Sequence, residues 1–289
     1  MTIIVGIISD EGIILASDSQ TTSGTAKRCD ANKISLVEFK NLKVLVAQAG
    51  YATFSGRALE IFEAAAKDKE ITDYRMIVEM AEKAMRQMKD EARFQQGDCT
   101  MEELRDFVWK HELEAKFMLA YYFEGNPFLF TLDMVVGVAN KVNSHYDAIG
   151  CGANLGGYLL SELSYTKMDS GLAAAIAVHV VESVKNHDAY CGGETKAAIL
   201  KDPNNNHPSF RIFTKEEVGV LVKIVSEMDN KTKKQRNKII QKALLKPATD
   251  YFKSIKMPVR RYDVPSKIKM PIRKAQPSAI EKALQDSSK

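Results

Sequence analysis

Thr2-Ile3-Ile4-Val5-Gly6-Ile7-Ile8-Ser9-Asp10-Glu11-Gly12-Ile13-Ile14-Leu15-Ala16-Ser17-Asp18 is the stretch that decides the fold. Thr2–Ser9 is a β-branched apolar run, Asp10-Glu11-Gly12 supplies a turn, and Ile13–Ser17 is a second run. Two such runs joined by a short turn read as a β-hairpin. Lys33–Phe39 and Leu42–Ala49 repeat the design around Lys40-Asn41, and Gly50 then breaks the pattern.

Helical periodicity takes over beyond Gly50. Residues 53–68 place Leu59, Phe62, Ala65 and Ala66 at helical spacing. Residues 73–95 carry Met76, Ile77, Met80, Ala84 and Met88 on one stripe, with Asp73 as the cap. That stripe reads as core rather than as a cofactor site. The segment 96–113 is polar with scattered apolar positions and reads as a short helix containing Trp109. Strands return at Phe117–Phe123 and Phe128–Asp133, joined by Glu124-Gly125-Asn126-Pro127. Helices follow near 153–164 and 169–187, then strands near Thr195–Leu200 and Ser209–Phe213. Glu216–Ser226 fits a strand or a helix equally well. Strand runs alternating with helix pairs argue for packed sheets covered by helices, not for a doubly wound parallel sheet.

The chain has 289 residues, enough for one large domain or one domain with an appendage. Its overall charge of +4 hides an asymmetry. Residues 230–289 hold 17 Lys/Arg against 4 Asp/Glu, whereas 1–229 hold 24 against 33. A split of this kind marks a separate tail or an interaction surface. We therefore expect a domain over 1–229 and a basic, Pro-punctuated extension over 230–289. Lys231–Lys238 is basic enough to touch phosphates, but no nucleic-acid motif accompanies it. Docking on an acidic body of the same or a neighbouring subunit is the preferred expectation, and nucleic acid is not expected as a partner.

No apolar run is long enough to cross a bilayer, and the N-terminus lacks the pattern of a secretory signal. Cys29, Cys99, Cys151 and Cys191 show no paired ligand spacing, and the five histidines form no ligand pattern. Reduced thiols in the cytoplasm, with no metal or organic cofactor, are the expectation. Cys151 and Cys191, each beside a glycine, read as small buried packing residues.

Thr2 directly follows Met1, and methionine is readily cleaved before a small residue. Cleavage would leave a free α-amine beside the Thr2 hydroxyl. Such an amine titrates near pH ~8, so part of it is neutral and able to take the hydroxyl proton. Thr at this position is common, and alone it would carry no functional reading.

The run Thr2–Ile8, the turn at Gly12 and the run from Ile13 through Asp18-Ser19-Gln20-Thr21-Thr22-Ser23-Gly24 closely resemble the start of proteasome β subunits. They are also similar to the bacterial protease HslV and to the proteasome-related protein Anbu. Further motifs follow in the family's order: Asn32-Lys33-Ile34, Ala49-Gly50-Tyr51-Ala52, Ala148-Ile149-Gly150-Cys151-Gly152 and Asp188-Ala189-Tyr190-Cys191-Gly192-Gly193. Together they frame roughly residues 2–213. The resemblance implies an α/β (α+β) fold, the N-terminal nucleophile hydrolase four-layer αββα sandwich with two central antiparallel sheets.

It also implies roles. Thr2 would be the nucleophile of a threonine-type peptidase, with its own amine as general base. Lys33 would place positive charge near it, Asp18 would orient Lys33, and the Gly50 N–H would hold the oxyanion. Asp188 would support the nucleophile through hydrogen bonds, and Ala52 stands where the family's specificity pocket begins. Peptides or unfolded proteins would be the substrate, and a homo-oligomeric ring would enclose the sites. An ATP-driven unfolding partner is common in the family, but nothing in this chain identifies one. Three departures stand out. Cys151 and Cys191 replace serines, the segment 96–113 is extra, and the basic tail has no counterpart. Two rival activities keep the same fold: a transpeptidase or amidase using Thr2, and an assembly protein without catalysis.

Overall fold

Ile3–Ile8 (β1) and Gly12–Ser17 (β2) form the expected antiparallel hairpin, with Ile8 opposite Ile13 and Ile4 opposite Ser17. Ser9 closes its turn, donating from Oγ to the Gly12 carbonyl at 2.7 Å while the Gly12 N–H donates back at 3.1 Å. The two runs are apolar at nearly every position because both faces are buried. Ile3, Val5, Ile7, Ile14 and Ala16 belong to one core, and Ile4, Ile13 and Leu15 to another. Gly6 lies on the second face, where a Cβ would meet Met118 Sδ at 2.5 Å. A larger residue there would push the layers apart.

The computed structural model describes residues 2–23, 26–97, 100–110, 113–163, 168–202, 210–224 and 226–227. Cys99, Ser209 and the basic extension 230–289 lie outside them. Tyr146–Gly150 (β10), Lys196–Lys201 (β11) and Phe210–Ile212 (β12) complete the first sheet in the order β10-β1-β2-β11-β12. Ile34–Glu38 (β5), Lys43–Gly50 (β6), Ala115–Phe123 (β7), Asn126–Asp133 (β8) and Ala139–Lys141 (β9) make the second, in chain order. Every neighbouring pair is antiparallel. Thr21–Ser23 (β3) and Ala26–Arg28 (β4) form a separate small hairpin.

The two sheets face each other across Leu15, Leu45, Met118 and Leu129. Ala52–Ala66 (α1) and Tyr74–Gln96 (α2) cover the second sheet, and Ala153–Leu163 (α4) and Ser170–Lys185 (α5) cover the first. The result is an α+β four-layer αββα sandwich, as the resemblance implied. Asp73 caps α2 through Arg75 N, and Ile77, Ala84 and Met88 of its stripe are fully buried. Each large apolar side chain buried this way contributes about 1.5–3 kcal/mol.

Several details refine the sequence reading. The segment 96–113 contains the helix Met101–Lys110 (α3), opened by a capping box in which Thr100 and Glu103 bond reciprocally. Residues 215–224 are helical (α6), which resolves the open choice there. The four-residue link 124–127 tightens to a two-residue turn. Glu124 and Gly125 take positive φ, and Asn126 and Pro127 join β8. β3, β4, β9 and most of β10 carry no run or alternation long enough to read as strands. Pairing to longer neighbours holds β9 and β10 in place, and β3 and β4 pair with each other.

Candidate active site

The start of β1, the end of β2 and the residue before β5 meet at one end of the sandwich. Thr2 precedes β1, Asp18 follows β2, and Lys33 precedes β5; their exposures are 3%, 0% and 4%. All three hydrogens of the Lys33 ammonium find acceptors: Thr2 Oγ1 at 2.7 Å, Asp18 Oδ1 at 2.7 Å and the Gln20 carbonyl at 2.6 Å. The side chain is fixed in place by geometry. Burial pulls the Lys33 pKa below its ordinary value of 10.5, against the nearby Asp18 carboxylate, which raises it.

Asp18 is itself fully engaged. Oδ1 also accepts from Ile3 N at 3.1 Å, and Oδ2 accepts from Gln20 N at 3.3 Å and Gly192 N at 3.0 Å. A buried carboxylate with four donors, one of them cationic, offsets its desolvation as an isolated charge could not. Gln20 and Gly192 thus belong to the site although only their neighbours were singled out. They act through backbone groups, which leave no side-chain signal in a sequence. Gly192 could have been suspected from the Cys191-Gly192-Gly193 run.

On its other side Thr2 meets two sulfurs. The Thr2 N–H donates to Cys151 Sγ at 3.2 Å, and Cys151 Sγ lies 3.6 Å from Cys191 Sγ. The hydrogen bond from Cys191 holds the Cys151 thiol below its ordinary pKa, while the same contact and burial push Cys191 up. Cys191 is buried as expected, but Cys151 is exposed. The packing reading fails for Cys151 because it sits in the turn between β10 and α4, at the open rim of the site. Asp188 follows α5 and accepts from Tyr190 N at 2.9 Å. Its carboxylate lies within 4.8 Å of both sulfurs.

Gly150 permits this closeness. Its φ is +100°, and a Cβ there would fall 2.1 Å from the Thr2 carbonyl oxygen. Gly50, at φ +97°, is equally closed to side chains, with Glu114 O at 2.0 Å from an added Cβ. The Gln48 N–H donates to the Lys33 carbonyl at 2.9 Å. By strand alternation the Gly50 N–H, two residues on, points to the same side. Ala52 is exposed as the first residue of α1, a helix whose N-cap, Tyr51, makes no side-chain cap bond. A cavity of about 720 Å³ lined by Phe39, Leu42, Tyr122 and Lys201 shares no residue with this cluster.

The sandwich, with a threonine set against a buried lysine at its N-terminal strand, has the fold of the N-terminal nucleophile hydrolases. The profile of the family described as "Proteasome subunit" matches residues 2–200, and the chain belongs to that family. Among solved structures it is similar to a Gly-1 mutant of Anbu from Hyphomicrobium sp. strain MC1. That likeness has a TM-score of 0.63 at 14% identity, covering 80% of this chain and 96% of the other. Anbu from Yersinia bercovieri, described as an ancestral beta-subunit, aligns with a TM-score of 0.62 at 15% identity over 81% and 97% of the two chains. No curated protein sequence matches. Among the described residues no helix is long and apolar enough to cross a membrane.

Proposed function

We propose that the chain is a threonine-type peptidase acting through Thr2 after removal of Met1. The observation that carries this reading is the Lys33 ammonium, buried and donating at once to Thr2 Oγ1, Asp18 and Gln20. A fixed positive charge at 2.7 Å favours the developing alkoxide on Thr2 Oγ1 and lowers the pKa of a nearby amine. The freed α-amine takes the hydroxyl proton, and Oγ1 attacks the scissile carbonyl carbon. The Gly50 N–H stabilises the resulting oxyanion, a contribution of about 3–4 kcal/mol for donors of this kind. The uncapped start of α1 beside it adds a favourable dipole. Collapse expels the leaving amine, which takes the proton from the ammonium, and leaves an ester on Thr2. Water, activated by the same amine, hydrolyses it. Asp18 positions Lys33, and Asp188 supports the amine side through the turn that carries Cys191. Substrate side chains would lie over Ala52.

Subunit assembly is part of the proposal. Phe94 and Trp109 are 88% and 80% exposed at the ends of α2 and α3, and such apolar surface favours burial against another copy. A homo-oligomeric ring would enclose the sites.

The test is intact-protein mass spectrometry after incubation with an epoxyketone peptide, which traps a threonine hydroxyl and its free amine together. A chain lacking Met1 and carrying one adduct, absent in Thr2→Ala, is the expected result. A chain retaining Met1 and staying unmodified would overturn the reading. The thiol pair in place of two serines favours one alternative, an assembly protein without catalysis, which that second outcome would select. For a chain that does form the adduct, a peptide panel with and without added amine separates hydrolysis from acyl transfer.

A further inference from the structure

We propose that Cys151, Cys191 and Asp188 form a zinc site, with the freed Thr2 amine as its fourth ligand. Linear spacing conceals it, since 36 residues separate Cys151 from Asp188, but the turn before α4 and the turn after α5 bring the three together. The sulfurs stand 3.6 Å apart. Two thiolates on one tetrahedral zinc, each about 2.3 Å from the metal, stand about 3.8 Å from one another. Only a few tenths of an ångström separate the observed sulfur spacing from that of a zinc pair.

The remaining donors stand close by. A carboxylate oxygen of Asp188 lies within 4.8 Å of both sulfurs, and its other contact, from Tyr190 N, holds the side chain as an outer hydrogen bond holds a metal ligand. The Thr2 nitrogen is 3.2 Å from Cys151 Sγ. An amine and a thiolate on one tetrahedral zinc stand about 3.5 Å apart. As a peptide nitrogen this atom cannot ligate; as a free amine it can. The fourth position therefore rests on the peptidase reading above, whereas the three side chains do not depend on it.

The donor set selects the metal. Two sulfurs exclude magnesium and calcium, and a tetrahedral S₂ON set suits zinc. The Lys33 ammonium, which touches Thr2, is paired with Asp18. The ligands grade from exposed Cys151 through half-buried Asp188 to buried Cys191, so a cation can approach from solvent. Binding displaces two thiol protons into the buffer. It also occupies the lone pair of the amine that must act as base, so zinc would hold the peptidase in a reversible resting state.

The experiment uses the full chain, reduced and metal-free, titrated with cobalt(II) and then with zinc. We expect thiolate-to-cobalt charge-transfer absorption saturating at one equivalent and bleached by zinc. The absorption should fall by about half in Cys151→Ser and in Cys191→Ser, and affinity should fall at least tenfold in Asp188→Asn. Circular dichroism confirms that each variant is folded. A chain extended at its N-terminus, in which the Thr2 nitrogen stays an amide, should keep the absorption but bind more weakly. Loss of that difference alone would remove only the fourth ligand and match a failed epoxyketone test. Absence of the absorption in the reduced chain would overturn the site. So would its persistence in the double serine variant, or thiol counting that finds Cys151 and Cys191 joined as a disulfide that reductant cannot convert to a cobalt-binding form.

Discussion

Thr2 is approached from two sides that are built very differently. On the hydroxyl side, strand ends deliver Asp18 and Lys33, both buried and both with every polar side-chain atom engaged. On the nitrogen side, turns next to helices deliver Cys151, Asp188 and Cys191, held by long sulfur contacts and open to solvent at Cys151. Strand ends are anchored by ladders, on both sides for β1 and β2 and on one side for the edge strand β5, so they place a charge rigidly. The turns belong to no ladder; single bonds such as Gly192 N to Asp18 and Gly152 N to the Thr2 carbonyl hold them, and they carry the softer sulfur groups. The surroundings of the hydroxyl are thus fixed by the fold, while those of the nitrogen are left adjustable.

The sharpest way to break this contrast is Lys33→Ala. It leaves Asp18 buried without its cation, a change that costs about 3–5 kcal/mol. It should abolish epoxyketone labelling, read by mass spectrometry, and lower the denaturation midpoint in urea. Gly150→Ala comes next. The strained φ and the contact with the Thr2 carbonyl should cost about 2–4 kcal/mol, seen in the same unfolding curve. If Gly150→Ala proves neutral, the nitrogen side is looser than its geometry implies.

Cys151→Ser tests the soft side directly. A hydroxyl accepts from the Thr2 nitrogen better than a thiol does, and a hydrogen bond is worth about 0.5–1.5 kcal/mol net. Labelling rates should therefore change two- to tenfold, roughly, with stability shifting less than in the glycine variant. A null result would place the amine's control elsewhere.

The effect of pH separates the sides further. Because burial lowers the Lys33 pKa, the folded chain gives up that proton before the unfolded chain does. The lysine's own contribution to stability therefore rises as pH climbs from its folded pKa to 10.5. Labelling should fall across that same window as the charge is lost. Opposite slopes in the unfolding and labelling profiles are the expected pair. The smallest effect is reserved for Trp109→Ser, which should change monomer stability by no more than about 0.5 kcal/mol while altering the assembly state measured by light scattering.

The same contrast explains what was legible. β1, β2, β5 and β6 stand out because long apolar runs meet Gly-bearing or polar turns, and α2 because its stripe keeps one period for four turns. β9 does not, being three residues long and held by its pairing with β8. Asp18 and Lys33 were found only through motif order, since either alone reads as a turn or strand-end charge. Gln20 contributes a carbonyl and Gly192 an amide, which any residue could supply. The grouping of Cys151 with Asp188 and Cys191 is a product of tertiary folding, invisible to linear spacing.

The three committed hydrogens of Lys33 have a spectroscopic consequence. Ammonium protons on a surface lysine exchange with water too quickly to be observed. Those of Lys33 are each held by an oxygen in a nearly water-free corner, and exchange should slow enough for a resolved ¹H–¹⁵N signal. One resonance, from the single nitrogen that touches both Thr2 and Asp18, would then report in real time whether the hydroxyl beside it is free, acylated or displaced.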